Sequence, residues 1–417
     1  MKDDQTAPAG RHALIFIFVT MFVDVVGIGI TAPVGPKLIA GLMHASLSEA
    51  ARFSGWLMFV YAGMQFLFAP LIGNLSDRFG RRPLLILSVA ALGVDFLIVA
   101  CAPTIAWLFL GRLLSGMAGA SITTANAYIA DITPPEKRAG NFGLAGAAFG
   151  IGFIVGPALG GVLGDIWVRL PFFVSAALAF ANAGYGFLVL RESLPPARRR
   201  AFSWKRANPL GALAAMKRYP LVLGLAGVLV LMRFAHDANP AVWTFYTMER
   251  FNWTMREVGL SLMASGTITA LAYGVLPRLL IPRLGETRSI YIGLAAGAVG
   301  FAGFAFSTQG WMLYAWMPIF ALMALAMPSL NAVMSKAVDP SAQGELQGAL
   351  VSVGSLTSVA APLFMSYLFA YSTTPGAKFY FPGAAFAMAS LCLLAAVAFF
   401  AFVEARRRQK TTLNCDC

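Results

Sequence analysis

The chain has 417 residues, of which 59% are hydrophobic and 12% charged, where a soluble domain carries about 25% charged residues. With a mean hydropathy of +0.73, 33 Phe and four dispersed Cys, soluble, disordered and disulfide-scaffold classes are all excluded. The reading is an integral membrane protein whose net charge of +13 belongs to cytoplasmic loops against anionic lipid, not to nucleic-acid binding.

A spanning helix needs about 20 mostly apolar residues. Unbroken apolar runs such as Leu84–Ala100 are helical, whereas the strands of a membrane barrel alternate over about ten residues. Twelve spans are predicted, near 12–40, 53–72, 83–102, 106–129, 140–164, 170–190, 219–245, 257–280, 288–306, 311–334, 344–370 and 379–403. They leave no room for a sizeable soluble catalytic domain, so the expected class is a transporter rather than an enzyme. The polar stretch 191–218 divides an N-terminal six-helix bundle (1–190) from a C-terminal one (219–417). Most of the Lys and Arg fall in alternate loops, which places both termini in the cytoplasm by the positive-inside rule.

The first span contains Asp24 near mid-depth and runs into Pro33 and Pro36, unlike a cleaved signal peptide. A charge at the bilayer centre costs at least about 2.5–3.5 kcal/mol on insertion scales. Acids kept there are therefore candidates for proton exchange, since desolvation penalises only their charged form. Asp95, in the third span, is a second such acid, and Arg112 in the fourth offers either a partner. A permanent structural ion pair fits the same residues.

Between the second and third spans lies GNLSDRFGRRP, Gly73 to Pro83. Its glycines allow a tight turn, and Asp77 stands close to Arg78, Arg81 and Arg82, within reach of bidentate pairing. In the fifth span Gly152, Gly156, Gly160 and Gly164 recur every four residues beside Gly161 and Pro157. That pattern gives a smooth, bent face for close helix packing. The seventh span holds RFAHDANPAVW, with Arg233, His236 and Asp237 on one helix face. Arg233 and Asp237 fit mutual neutralisation, His236 fits either packing or proton relay, and Asn239 and Pro240 mark an irregularity of the kind that lines cavities. Tyr61, Gln65, Asn126, Trp243 and Asn331 are further candidates for cavity walls.

The halves repeat one another. Arg78, Gly80, Asn126, Pro135, Gly143 and Pro157 each recur 205 residues on, as Arg283, Gly285, Asn331, Pro340, Gly348 and Pro362. Parallel repeats with a site at the midplane between them are a transporter architecture. Other chemistries find no support: Gly27 and Gly29 follow no strand, three His are few for a zinc site, and Cys101, Cys392, Cys415 and Cys417 read as inert.

Three of these motifs carry a family resemblance. GNLSDRFGRRP resembles the loop signature of the major facilitator superfamily, GRLLSGMAGA (Gly111 to Ala120) its span-4 signature, and GFIVGPALGG (Gly152 to Gly161) the span-5 signature of its proton-coupled antiporters. The stretch from Tyr61 to Ser88 is similar to the tetracycline/proton antiporters of that superfamily. The resemblance implies a twelve-helix antiporter of the bacterial inner membrane, functional as a monomer in the lipid bilayer. Its partners would be protons and a drug, and the cargo tetracycline as a metal chelate. No cofactor is implied, a divalent metal entering only with the cargo. It also implies proton coupling through Asp24 and Asp95, a cytoplasmic latch in which Asp77 and Arg81 work with Asp131 near Gly344, and a Gly156-Pro157 face that seals the halves. The sequence departs from that family where its span-8 His falls at Thr269, its span-9 Asp at Gly297, and the repeat of Asp77 at Pro282. His236 and Asp237 are the expected replacements for the lost titratable groups. A broader multidrug/proton antiporter and a proton-coupled small-solute importer are the alternatives.

Overall fold

The computed structural model describes residues 9–119, 121–202, 220–339 and 343–415. Most of the 191–218 stretch, Pro340 and Cys417 lie outside them. Regular structure among the described residues is helical, in the order α1 (Ala9–Thr31), α2 (Gly35–Met43), α3 (Leu47–Phe79), α4 (Arg81–Cys101), α5 (Ile105–Ala118), α6 (Ser121–Ile132), α7 (Pro135–Ile166) and α8 (Leu170–Val189). Then follow α9 (Pro220–His236), α10 (Ala238–Phe251), α11 (Met255–Leu284), α12 (Glu286–Phe306), α13 (Gly310–Ala321), α14 (Ala326–Lys336), α15 (Gln343–Thr373) and α16 (Ala384–Cys415).

Among the described residues ten stretches are long and apolar enough to cross a membrane, two of them interrupted helices, α9 with α10 and α13 with α14. The first span is α1 with α2, bent by 49° where Pro33 and Pro36 remove backbone donors. The fourth is carried by α5 and α6 on either side of residue 120. Large apolar side chains face outward all along the chain, Leu87 at 64% and Leu188 at 82% exposure among them. Only hydrocarbon solvates such a surface, so this is a multi-pass membrane protein.

Two compact units form. The first comprises Met1–Ala45, Val60–Asn208 and Trp253–Gly266; the second comprises Ser46–Phe59, Pro209–Asn252 and Thr267–Cys417. The second and eighth spans, α3 and α11, each contribute to both. Within the first unit the first span packs on the fifth and sixth, and the third on the fourth and sixth. The second unit repeats this: the seventh span packs on the eleventh and twelfth, and the ninth on the tenth and twelfth. Gly80 and Gly285, one repeat apart, both adopt positive φ, 109° and 77°, at the turns where only glycine is comfortable. The sequence repeat is thus a structural duplication.

The fifth-span glycines bring helix axes together. A Cβ on Gly156 would stand 2.8 Å from the Val26 carbonyl oxygen, one on Gly152 2.9 Å from Val25, and one on Gly160 would overlap the Ile30 carbonyl. This face therefore packs on the first span of the same unit. Gly161 approaches Met255, and Gly259 approaches the Pro157 carbonyl, through the α11 segment that clusters with that unit.

Candidate functional site

Three clusters gather the predicted residues. The first surrounds the turn from α3 to α4. The Arg81 guanidinium lies 2.6 Å from Asp77, 3.2 Å from Asp131 at the end of α6, and donates to the Ser76 hydroxyl at 2.6 Å. Ser193 donates to the same Asp131 oxygen at 3.2 Å. Arg78 does not join them; it stacks over the Phe79 ring at 5.1 Å. Sequence reading missed Glu192. Its carboxylate accepts the Arg81 and Arg82 backbone N–H groups at 2.8 and 3.3 Å, capping α4 from another segment. An anion there meets the positive helix terminus. Its signal was an acid just before a proline pair, with nothing local to connect it to residue 81.

The second cluster is buried in the first unit. Asp95 on α4 has no exposed surface and meets the Arg112 guanidinium of α5 at 2.5 Å. Arg112 also lies 5.8 Å from the centre of the Tyr61 ring on α3. Gly111 is required beside this pair, because a Cβ would run into the Asp95 carboxylate. Gln65, one turn beyond Tyr61, donates to the Gly119 carbonyl at 3.1 Å. Asp24 on α1, 4% exposed, lies with Asp95 and Arg112 in electrostatic range of the Tyr61 hydroxyl. Four spans thus contribute two buried acids, one half-buried guanidinium, a phenol and an amide to this cluster, and charges held out of water interact far more strongly than in it.

The third cluster sits in the second unit where the seventh span breaks. Pro240 has no N–H for the His236 carbonyl; α9 ends at His236 and α10 begins at Ala238. Asp237, at the break, is 9% exposed. It accepts from the Ser358 hydroxyl of α15 at 3.0 Å, with His236 Nδ1 at 3.8 Å. The anticipated neutralisation by Arg233 does not occur: among the described residues no ion pair joins Arg233 to Asp237. Arg233 instead lies in electrostatic range of Tyr273. Asn239, Asn126 and Asn331 are half-buried. Trp243, expected in a cavity wall, is 2% exposed and packed edge-on against Phe304 and Phe386, in the aromatic core of its unit. Gly297 is closed to an acid, since a Cβ there would lie 2.9 Å from both Leu393 and Met323.

Duplicated six-span units with ionisable groups buried at membrane depth define a membrane transporter. The chain belongs to the Major Facilitator Superfamily, whose pattern it matches over residues 17–362 and 238–414. It is 38% identical over 364 residues to the tetracycline resistance protein, class C, of Escherichia coli, covering 87% of this chain and 91% of that one. Multidrug resistance protein 2 of Bacillus subtilis (strain 168) is 28% identical over 363 residues, 86% and 89% of the two chains. In fold the chain is similar to the nucleoside transporter NupG, with a TM-score of 0.75, 16% identity and coverage of 93% and 98%.

Proposed function

We propose that this protein expels tetracycline-type antibiotic, carried as its metal chelate, in exchange for protons. The observation that carries this reading is the likeness to tetracycline resistance proteins along nearly their whole length, joined to the buried acids Asp24 and Asp95, the latter paired with Arg112. Asp24 takes up a proton in competition with the cationic cargo. Asp95 and Arg112 hold the charge of the site in balance as Asp24 changes state. A ligand shifts a conformational equilibrium only by binding its two states differently, so this competition couples the fluxes by alternating access. Asp77, Arg81 and Asp131 form the latch that proton uptake loosens.

In this reading the chain works as a monomer in the bacterial cytoplasmic membrane, with both termini inside. Halves 1–190 and 219–417 are joined by the 191–218 linker. A broader range of amphipathic drugs is the second reading, favoured by Thr269 and Gly297 at positions where ionisable groups were expected and by the likeness to a multidrug resistance protein.

The test is drug susceptibility of a pump-deficient bacterium expressing wild type or Asp24→Asn. Wild type should raise tetracycline tolerance and the variant should not. Protection against unrelated amphipathic dyes as well would establish the broader range. Protection against neither would refute drug export.

A further inference from the structure

The second unit places one acid at the mid-depth of a span. Glu49, Glu249, Glu286, Asp339, Glu345 and Glu404 all stand at or beyond the ends of their apolar stretches, whereas Asp237 lies in the middle of the seventh span. A carboxylate at that depth is costly to keep unless its environment uses it. The surroundings are sparse in charge. The packed eleventh span has no charged residue between Glu345 and its end at Thr373, and the twelfth none between Ala384 and Glu404. In the tenth, which α9 also touches, Lys336 is the last helical residue. On its own span Asp237 has Arg233 one turn before it and His236 beside it.

We propose that Asp237 is a proton-binding site of the transport cycle, with His236 as its relay. This deepens the proton-driven reading above and rests on it. Asp237 Oδ2 accepts the Ser358 hydroxyl at 3.0 Å, and a hydroxyl both donates and accepts. The anion takes the Ser358 proton in a hydrogen bond. The protonated acid instead donates to Ser358 Oγ, so both states are satisfied by one rotation. The His236 side chain is 42% exposed against 13% for Asp237, so the imidazole is the more accessible of the two. An imidazolium gives its Nδ1 proton to Asp237 Oδ1 and is left neutral. The present 3.8 Å separation closes to hydrogen-bonding distance by a side-chain rotation. Helical hydrogen bonds continue through this position, the Asp237 N–H donating to the Arg233 carbonyl at 3.0 Å and the Asp237 carbonyl accepting from Ala241 at 3.3 Å, so the carboxylate is held at a fixed place on the span.

The test uses full-length protein in phosphatidylethanolamine/phosphatidylglycerol vesicles, with tetracycline–Mg as the probe. Two assays are run on wild type, Asp237→Asn, Asp237→Glu and His236→Gln: uphill uptake driven by a pH step, and tetracycline exchange at equal pH. Asp237→Asn is expected to lower pH-driven uptake by roughly a hundredfold, the low end of what a positioned proton-transfer group supplies. Exchange should stay near wild type, and Asp237→Glu should recover uptake. His236→Gln should shift the pH profile while leaving exchange intact. Uphill uptake by Asp237→Asn equal to wild type, or loss of exchange together with uptake, overturns the proposal. A wild type that exchanges tetracycline but ignores the pH step overturns the proton-driven reading itself.

Discussion

Lys336 meets Glu286 at 2.6 Å in the same places where, one repeat earlier, Asp131 meets Arg81 at 3.2 Å. Both pairs lie 205 residues apart in the sequence, and the signs are exchanged. Each joins the start of one span to the end of the next: α4 to α6 in the first unit, α12 to α14 in the second. A brace kept while its charges invert shows that the contact, rather than either residue, is what this position needs.

The two braces differ in weight. The Arg81 and Asp131 side chains are 13% and 24% exposed, while Lys336 is 69% exposed. Exposed pairs contribute about 0.2–1 kcal/mol. Lys336→Glu should therefore lower thermal stability slightly in a detergent melt, and the swap Glu286→Lys with Lys336→Glu should restore it. An equal loss in the double variant would mean the pair contributes nothing.

Arg112 and Asp95 are a harsher case. Removing one partner of a buried pair leaves an uncompensated charge, at a cost of about 3–5 kcal/mol. Arg112→Ala should sharply reduce the folded yield in size-exclusion chromatography, and Asp95→Asn together with Arg112→Gln should recover much of it.

Glu192 caps α4 from the end of the sixth span. Glu192→Ala should cost about 1 kcal/mol, in the range of lost helix caps, and Glu192→Gln less. Melting curves with both variants decide this. Identical curves for wild type and Glu192→Ala would show the cap to be dispensable.

Glycines in the fifth span divide by their surroundings. Gly156→Val would drive a side chain into the Val26 carbonyl, whereas Gly146 has open space around it. Overpacking costs about 1–3 kcal/mol or more, so Gly156→Val should lose resistance and folded yield while Gly146→Ala keeps both.

Much of the fold was legible because spanning a bilayer imposes length and apolarity on every helix, and prolines marked the bends after Thr31 and at Asp237. The Arg81, Asp77 and Asp131 cluster was legible through its motif. Glu192 was not, since its contact with Arg81 crosses 111 residues and a linker acid looks like any solvated charge. Arg233 and Asp237 share a helix face, but sharing a face did not make them a pair: Asp237 turns to Ser358 instead. Trp243 looked like a cavity aromatic because spacing cannot tell which side of a buried helix meets its neighbours.

Proton-driven export is tested most directly in everted membrane vesicles, by following tetracycline accumulation as an inward-acid pH gradient is imposed and then collapsed with a protonophore. Wild type should concentrate the antibiotic only while the gradient lasts, and Asp24→Asn should not concentrate it at all. Accumulation that continues after collapse, or that matches wild type without the Asp24 carboxylate, would contradict it.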